Sequence, residues 1–197
     1  MISVNITDTL TPHHRRVMST LSSTRPLMAR LGKTAEVIIK NRFEDQNRRP
    51  NKRGWPKKNF WTQVKRSTAL NSVSEREATV AISDPRFALQ YHGGTVSAKR
   101  SRFLAVPLTA AAYAAGSPRE GNTPNLFVLK SRSGRGAYLA EAEPFAWRGT
   151  VRLWYALKRA VNVPRNPDAL PPEGDIAAAL DREARAYLDA VLQKGTA

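Results

Sequence analysis

The middle of this sequence consists of short apolar runs separated by clusters of glycine, proline and serine, a pattern that limits it to short strands. The runs FLAVPL (103–108), NLFVLK (125–130) and AYLAEA (137–142) are shorter than an ordinary helix. We therefore predict an antiparallel meander over 95–148. The glycine-rich stretch KSRSGRG (130–136) predicts the tip of a hairpin between two of its strands.

The longest strand candidate, TVRLWYALKRAVNVP, has apolar residues on both of its faces. Alternation places Val151, Leu153, Tyr155 and Leu157 on one face, and Arg152, Trp154, Ala156 and Lys158 on the other. Such a strand needs cover on both sides, and a second copy of the chain can supply one of them. We predict an inter-subunit contact at Arg152, Leu153, Trp154 and Tyr155, and a bend or break of the strand near Arg159.

Two stretches with apolar residues at helical spacing enclose these strands. The first covers 25–45, after Thr24 as a capping residue. The second covers 175–193, with acidic residues early and Lys194 late, as the helix dipole favours. Residues 1–23 show no clear period and are interpreted as an N-terminal arm.

Between the first helix and the meander, the sequence predicts a hairpin and a short helix. The hairpin joins 70–73 to the alternating run 78–82 through the polar turn SEREA. The short helix, 85–92, begins after Asp84 and ends before two glycines. Together these elements predict an α+β fold, in which an N-terminal and a C-terminal helix flank an antiparallel sheet, with a short helix after the central hairpin and a single domain over 24–197.

The charge of the chain is strongly positive and unevenly distributed. Lys and Arg number 32 against 16 Asp and Glu, which gives a formal net charge of +16. Residues 1–75 hold 15 basic and 5 acidic residues, whereas residues 167–197 hold 3 and 6. Copies or neighbours could meet basic face to acidic face, and ordinary solvated surface charge explains the same pattern equally well.

The most basic stretch is a predicted loop over 46–62, which carries three aromatic rings beside its charges. The cations are Arg48, Arg49, Lys52, Arg53, Lys57 and Lys58, and the rings are Trp55, Phe60 and Trp61. Two interpretations stay open: a basic loop held by a buried tryptophan anchor, or a platform for a single nucleic-acid strand. A second basic turn, with Arg132 and Arg135, is either a plain hairpin tip or a contact for phosphate or an acidic partner.

Several classes of function lack sequence support. The chain has no cysteine, and His13, His14 and His92 have no acidic partner at the spacing of a metal site. His92 is interpreted as a histidine at a helix C-terminus. No nucleophile elbow, phosphate-binding loop or dinucleotide motif is present, and no run is long and apolar enough for a membrane span. We therefore expect no enzyme, no metal, no cofactor and no membrane partner, and a soluble product without a signal peptide.

The order of these pieces resembles a known family. An amphipathic helix ending in RFE, a loop containing GW, a hairpin and a short helix closing on FALQYHGG (87–94) resemble the virion-morphogenesis or tail-completion family of tailed bacteriophages. The similarity continues through KRSRFLAVPLT (99–109), LFVLK (126–130) and AVNVPRNPDAL (160–170) to the final helix. The short-helix signature on which it rests is Tyr91, His92, Gly93 and Gly94.

The resemblance implies a structural protein of the phage neck or upper tail. It implies a ring of identical subunits, six by the usual symmetry of tails, that completes the tail and joins it to the head. The expected location is the virion, reached through the host cytoplasm. The expected partners are other copies of the chain, neighbouring connector and tail proteins and, transiently, genomic DNA, and the basic loop with Trp55 is the predicted docking element. The alternative is a nucleic-acid-binding protein that uses Lys and Arg with Trp55 and Trp61.

Overall fold

The computed structural model of the chain describes Met18 and residues 22–51, 53–99, 101–131, 136–142 and 150–194. Its α-helices are α1 (Arg25–Arg48), α2 (Phe60–Arg66), α3 (Pro85–His92), α4 (Ala110–Ala115) and α5 (Glu173–Lys194), and a 3-10 turn covers Pro167–Ala169. Its strands are β1 (Thr68–Val73), β2 (Ala78–Ile82), β3 (Gly94–Ser97), β4 (Leu104–Pro107), β5 (Phe127–Lys130), β6 (Ala137–Ala142), β7 (Val151–Lys158) and β8 (Ala160–Val163). Nearly all of the predicted arm over 1–23 lies outside the described residues.

The α+β class is confirmed, with antiparallel pairing throughout the described strands, but they form three sheets rather than one. The hairpin β1–β2 and the pair β3–β8 are two-stranded, and the largest sheet has the order β4-β7-β6-β5. Within it β5, β6 and β7 follow one another as a meander, whereas β4 pairs with β7. The simple meander predicted for 95–148 is therefore wrong at β4. Its residues 143–148 lie outside the described residues.

The chain forms two compact units, each assembled from separate stretches of sequence. The first unit takes residues 1–48, 61–84 and 168–197, and the second takes 49–60 and 85–167. The single domain expected over 24–197 stays a prediction.

In the first unit, α1 packs directly on the β1–β2 hairpin. The close approach occurs at Gly32, where an added Cβ atom would lie 2.6 Å from Leu70 Cδ1 and 2.8 Å from the Cβ of Ala78. The terminal helix α5 packs along α1. The guanidinium of Arg30 joins these two helices, because it pairs with Glu183 at 2.8 Å and lies over the ring of Tyr187.

The predicted loop 46–62 is shorter than expected, because helices occupy both of its ends. Helix α1 continues to Arg48, and α2 already begins at Phe60. Val64, in α2, is fully buried, and the backbone reaches this helix through Asn59, which has a φ of 51°. The amphipathic signal of a seven-residue helix is too brief to separate it from a loop rich in Lys, Gly and Pro.

Candidate docking surface

Strand β7 is an interior strand of its sheet, so its apolar faces do not by themselves indicate a contact with a second copy. It is hydrogen-bonded to β4 on one side and to β6 on the other, with an extra residue near Trp154 that interrupts the register. Trp154, Tyr155 and Ala156 are all buried within a single chain. The physical reason for predicting an inter-subunit contact at Trp154 and Tyr155 is therefore removed.

The flanking residues of the predicted contact have a different environment. Arg152 is exposed and Leu153 is half-buried. A contact there stays a prediction. The predicted break near Arg159 is confirmed, because this residue separates β7 from β8.

Helix α4 covers Tyr155 and was not predicted from the sequence. The Tyr155 hydroxyl lies 3.0 Å from both the Ala112 and the Gly116 carbonyl oxygens, so it donates its proton to one of these acceptors at a time. Burial, followed by the charge of Glu120, raises the pKa of Tyr155 above 10.0. This hydroxyl fixes the C-terminal end of α4 on the sheet.

The local signals for α4 are present in the sequence. Thr109 caps the helix by accepting a hydrogen bond from the Ala112 N–H at 3.1 Å, and Gly116 ends it with a φ of 82°. Most of the residues between them are alanine, the residue type with the highest helix propensity. Its single large side chain, Tyr113, belongs to the candidate docking surface and was not predicted from the sequence.

Tyr113 holds the basic loop. The rings of Trp55 and Tyr113 lie 5.2 Å apart, tilted by 44°. The guanidinium carbon of Arg53 lies 4.7 Å above the Trp55 ring, and the Lys58 ammonium lies 4.7 Å from the centre of the Tyr113 ring. We call Arg53, Trp55, Lys58 and Tyr113 the cation–ring cluster. Each cation–ring contact at such a surface stabilises by about 0.5–1 kcal/mol.

The cluster favours the anchor interpretation of the loop over the stacking platform. Trp55 is half-buried, and at least one face of its indole is covered by Arg53. Trp61 likewise stacks on Phe43 within the first unit, with ring centres 5.8 Å apart. Rings that already have such neighbours offer less surface to a nucleobase. The loop therefore presents cations rather than rings.

The cations of the predicted loop do not form one group. Arg48 belongs to α1 and pairs with Glu44 at 3.0 Å and Asp45 at 3.7 Å. Arg49, Arg53, Lys57 and Lys58 are exposed in the second unit. The predicted site residues Lys52, Arg132 and Arg135 lie outside the described residues. The hairpin that leads to Arg132 and Arg135 is confirmed, since the Ser131 N–H donates to the Gly136 carbonyl at 2.8 Å.

The short-helix signature is a structural connection between α3 and β3. Gly93 has a φ of 74°, and an added Cβ there would lie 2.8 Å from the Arg165 backbone nitrogen. The Tyr91 carbonyl accepts a hydrogen bond from the Asn166 N–H. The rings of Tyr91 and His92 meet edge to face, with their centres 4.9 Å apart. Gly93 thus allows the end of β8 and the residues after it to pass close to the end of α3.

Several ionic groups in the first unit are paired with one another. Glu36 is 4% exposed, and hydrogen bonds from Lys40 and Lys33 lower its pKa to about 2. The Lys65 ammonium, and after it the Arg48 guanidinium, lower the pKa of Glu44. Within the part of the chain that the structure describes, no group of three or more His, Asp or Glu side chains could hold a metal ion. None of the described helices is both long and apolar enough to cross a bilayer.

Comparisons of the chain with protein-family models, with curated proteins and with solved structures found no match.

Proposed function

We propose that this protein is a structural component of the neck or upper tail of a tailed phage. Several copies form a ring that completes the tail and joins it to the head, and six copies is the number that the family resemblance implies. The basic loop, held by Trp55 on Tyr113, is its docking element toward neighbouring connector and tail proteins. The proposal includes no catalytic step.

The order of elements carries this proposal. Helix α1, the basic loop, the β1–β2 hairpin and the short helix α3 follow one another, and α5 ends the described chain. This is the order on which the resemblance rests. The glycine pair after α3 has positive φ at both Gly93 and Gly94, a backbone conformation that glycine adopts without steric cost.

Exposed apolar residues on an edge strand support self-association. On β5, Val128 is 59% exposed and Phe127 is 40% exposed. The opposite edge of this sheet, β4, ends in Pro107, which lacks the N–H that a further strand would need. An apolar edge without proline is a surface on which another chain can add a strand.

The alternative function, nucleic-acid binding, is favoured by the net charge of +16. Because Trp55 and Trp61 already contact other side chains, such binding would rely on phosphate contacts. It would then fall steeply with salt. A titration of the full chain with single-stranded and duplex DNA at several salt concentrations tests this alternative. The alternative predicts that the logarithm of the binding constant falls with the logarithm of the salt concentration, with a slope that corresponds to several phosphate contacts.

A cryo-electron microscopy map of intact particles tests the neck proposal. Particles of the phage that encodes this chain should show the chain as a closed ring at the junction of head and tail. Absence of the chain from purified particles, or its presence as an isolated single copy, would overturn the proposal.

A further inference from the structure

Two arginines of the basic loop, Arg49 and Arg53, are exposed, and neither forms an ion pair with any residue that the structure describes. The side chain of Arg53 is nevertheless restricted, because its guanidinium carbon lies 4.7 Å from the centre of the Trp55 ring. A guanidinium that contacts a ring can still donate its N–H groups to a carboxylate.

A group of exposed carboxylates lies just before α5 and in its first turn. Asp168, Glu173 and Asp175 are exposed, and none of them forms an ion pair with any residue that the structure describes. By contrast, the carboxylates of Glu36 and Glu183 in the same unit are paired with Lys or Arg. Glu173 and Asp175 lie in the first turn of α5, where the helix dipole favours negative charge. We call Asp168, Glu173 and Asp175 the acidic segment.

The start of the acidic segment is also held rigidly. The Asp168 carbonyl oxygen accepts hydrogen bonds from Arg42 Nη2 at 2.8 Å and from Gln46 Nε2 at 2.9 Å. The next residue, Ala169, is fully buried. The backbone at the start of the acidic segment and the side chain of Arg53 are therefore held before any partner arrives, and such preorganisation lowers the entropy cost of docking.

We propose that the basic loop of one copy docks on the acidic segment of the next copy, with Arg49 and Arg53 facing Glu173 and Asp175. This inference rests on the proposed ring of identical subunits. The two surfaces are different patches of the same chain, so each copy offers one to each neighbour. Contacts of this head-to-tail kind close into rings when the rotation between copies allows it. Opposite charges also set the direction in which copies join.

Charge reversal in the full chain tests this contact. One variant carries Arg49→Glu and Arg53→Glu, a second carries Glu173→Lys and Asp175→Lys, and a third combines all four changes and keeps the formal net charge at +16. Self-association is measured by analytical ultracentrifugation in low-salt buffer, and circular dichroism checks that each variant folds. We expect each two-site variant to associate at least tenfold more weakly than the unchanged chain.

Restoration of the contact is the decisive result. The four-site variant should recover association, and so should an equal mixture of the two weakened variants, because each then supplies the charge that the other needs. The control variant, Arg66→Glu with Arg76→Glu, makes the same change of net charge at exposed sites outside the loop and should associate normally.

Three results would overturn the inference: an unchanged chain that stays monomeric, reversals without effect, or weakening without recovery. The inference would also be overturned if reversing the charges of the loop abolished DNA binding while self-association persisted. That result would favour the nucleic-acid alternative. None of these results removes a ring seen in intact particles, so the neck proposal is decided separately.

Discussion

The carboxylate of Glu75, in the turn between β1 and β2, caps the N-terminus of α1 by accepting the backbone N–H of Thr24 at 2.7 Å. It also accepts the N–H of Arg25 at 2.9 Å and the hydroxyl of Ser23 at 3.0 Å. The first N–H groups of a helix have no partner within the helix. A residue far along the chain thus supplies the cap and fixes the start of α1 against the hairpin.

Replacing Glu75 should destabilise the chain in a pH-dependent way. Hydrogen bonds from Ser23 and then Thr24 hold the pKa of Glu75 below 4.5. A carboxyl whose pKa is lowered by folding stabilises the fold above its unfolded pKa, and this stabilisation is lost as pH falls through the folded pKa. Glu75→Gln should therefore lower the melting temperature at pH 7 and have a smaller effect near pH 3. Glu77→Gln, in the same exposed turn, is the control and should change little at either pH.

Glu36 should dominate the acid sensitivity of the first unit. With its pKa at about 2 against 4.5 unfolded, its contribution is fully present above pH 4.5 and is lost as pH falls toward 2. We expect Glu36→Gln to reduce the free energy of unfolding at pH 7 by about 2 kcal/mol, less than the full pKa shift implies because Lys33 is exposed. Urea titrations at pH 7, 4 and 2.5 measure the free energy of unfolding. Asp181→Asn, which breaks the exposed pair with Arg185, should cost well under 1 kcal/mol. Equal losses at pH 7 and pH 2.5 for Glu36→Gln would contradict this prediction.

The sequence predicted the elements whose signals are local. The short helix 85–92 and the strand 137–142 have the predicted bounds, because a cap, a proline or a glycine marks their ends. The terminal helix extends only slightly beyond 175–193 for the same reason. The sequence prediction lacks helix α4 although Thr109 and Gly116 mark it, because its run of alanines lies within the predicted meander 95–148.

The contacts that form the candidate docking surface could not be predicted, because they join residues distant in sequence. Nothing near Trp55 indicates that its ring lies against Tyr113, and nothing near Asp168 indicates that Arg42 binds its carbonyl. The pairing of β4 with β7 has the same origin, since alternation identifies a strand without naming its neighbour. The reasoning behind the inter-subunit contact predicted at Trp154 and Tyr155 does not hold, because the chain's own elements can cover both faces of an interior strand.

Tyr155→Phe should loosen α4 and, through it, the basic loop. The change removes a buried hydroxyl whose two carbonyl acceptors then lack that donor, a loss of about 1–2 kcal/mol. Urea unfolding measures the stability, and trypsin cleavage after Arg53 or Lys58 reports the loop. We expect lower stability together with faster cleavage. Tyr138→Phe, on the neighbouring strand β6, is the control. Lower stability with unchanged cleavage would show that the loop does not depend on this hydrogen bond.

Gly93→Ala and Gly54→Ala separate backbone strain from steric contact. Both glycines have left-handed φ values, 74° and 66°, so alanine costs about 1 kcal/mol at either position through the backbone alone. At Gly54 an added Cβ meets no atom within 4 Å, whereas at Gly93 it lies 2.8 Å from the Arg165 nitrogen and 2.9 Å from the Val163 carbonyl oxygen. Backbone atoms cannot move aside as a flexible side chain can, so Gly93→Ala should cost about 3 kcal/mol or more. Chemical denaturation of both variants measures the difference. Equal losses would mean that β8 yields to the added methyl group, and that the glycine is needed for its φ alone.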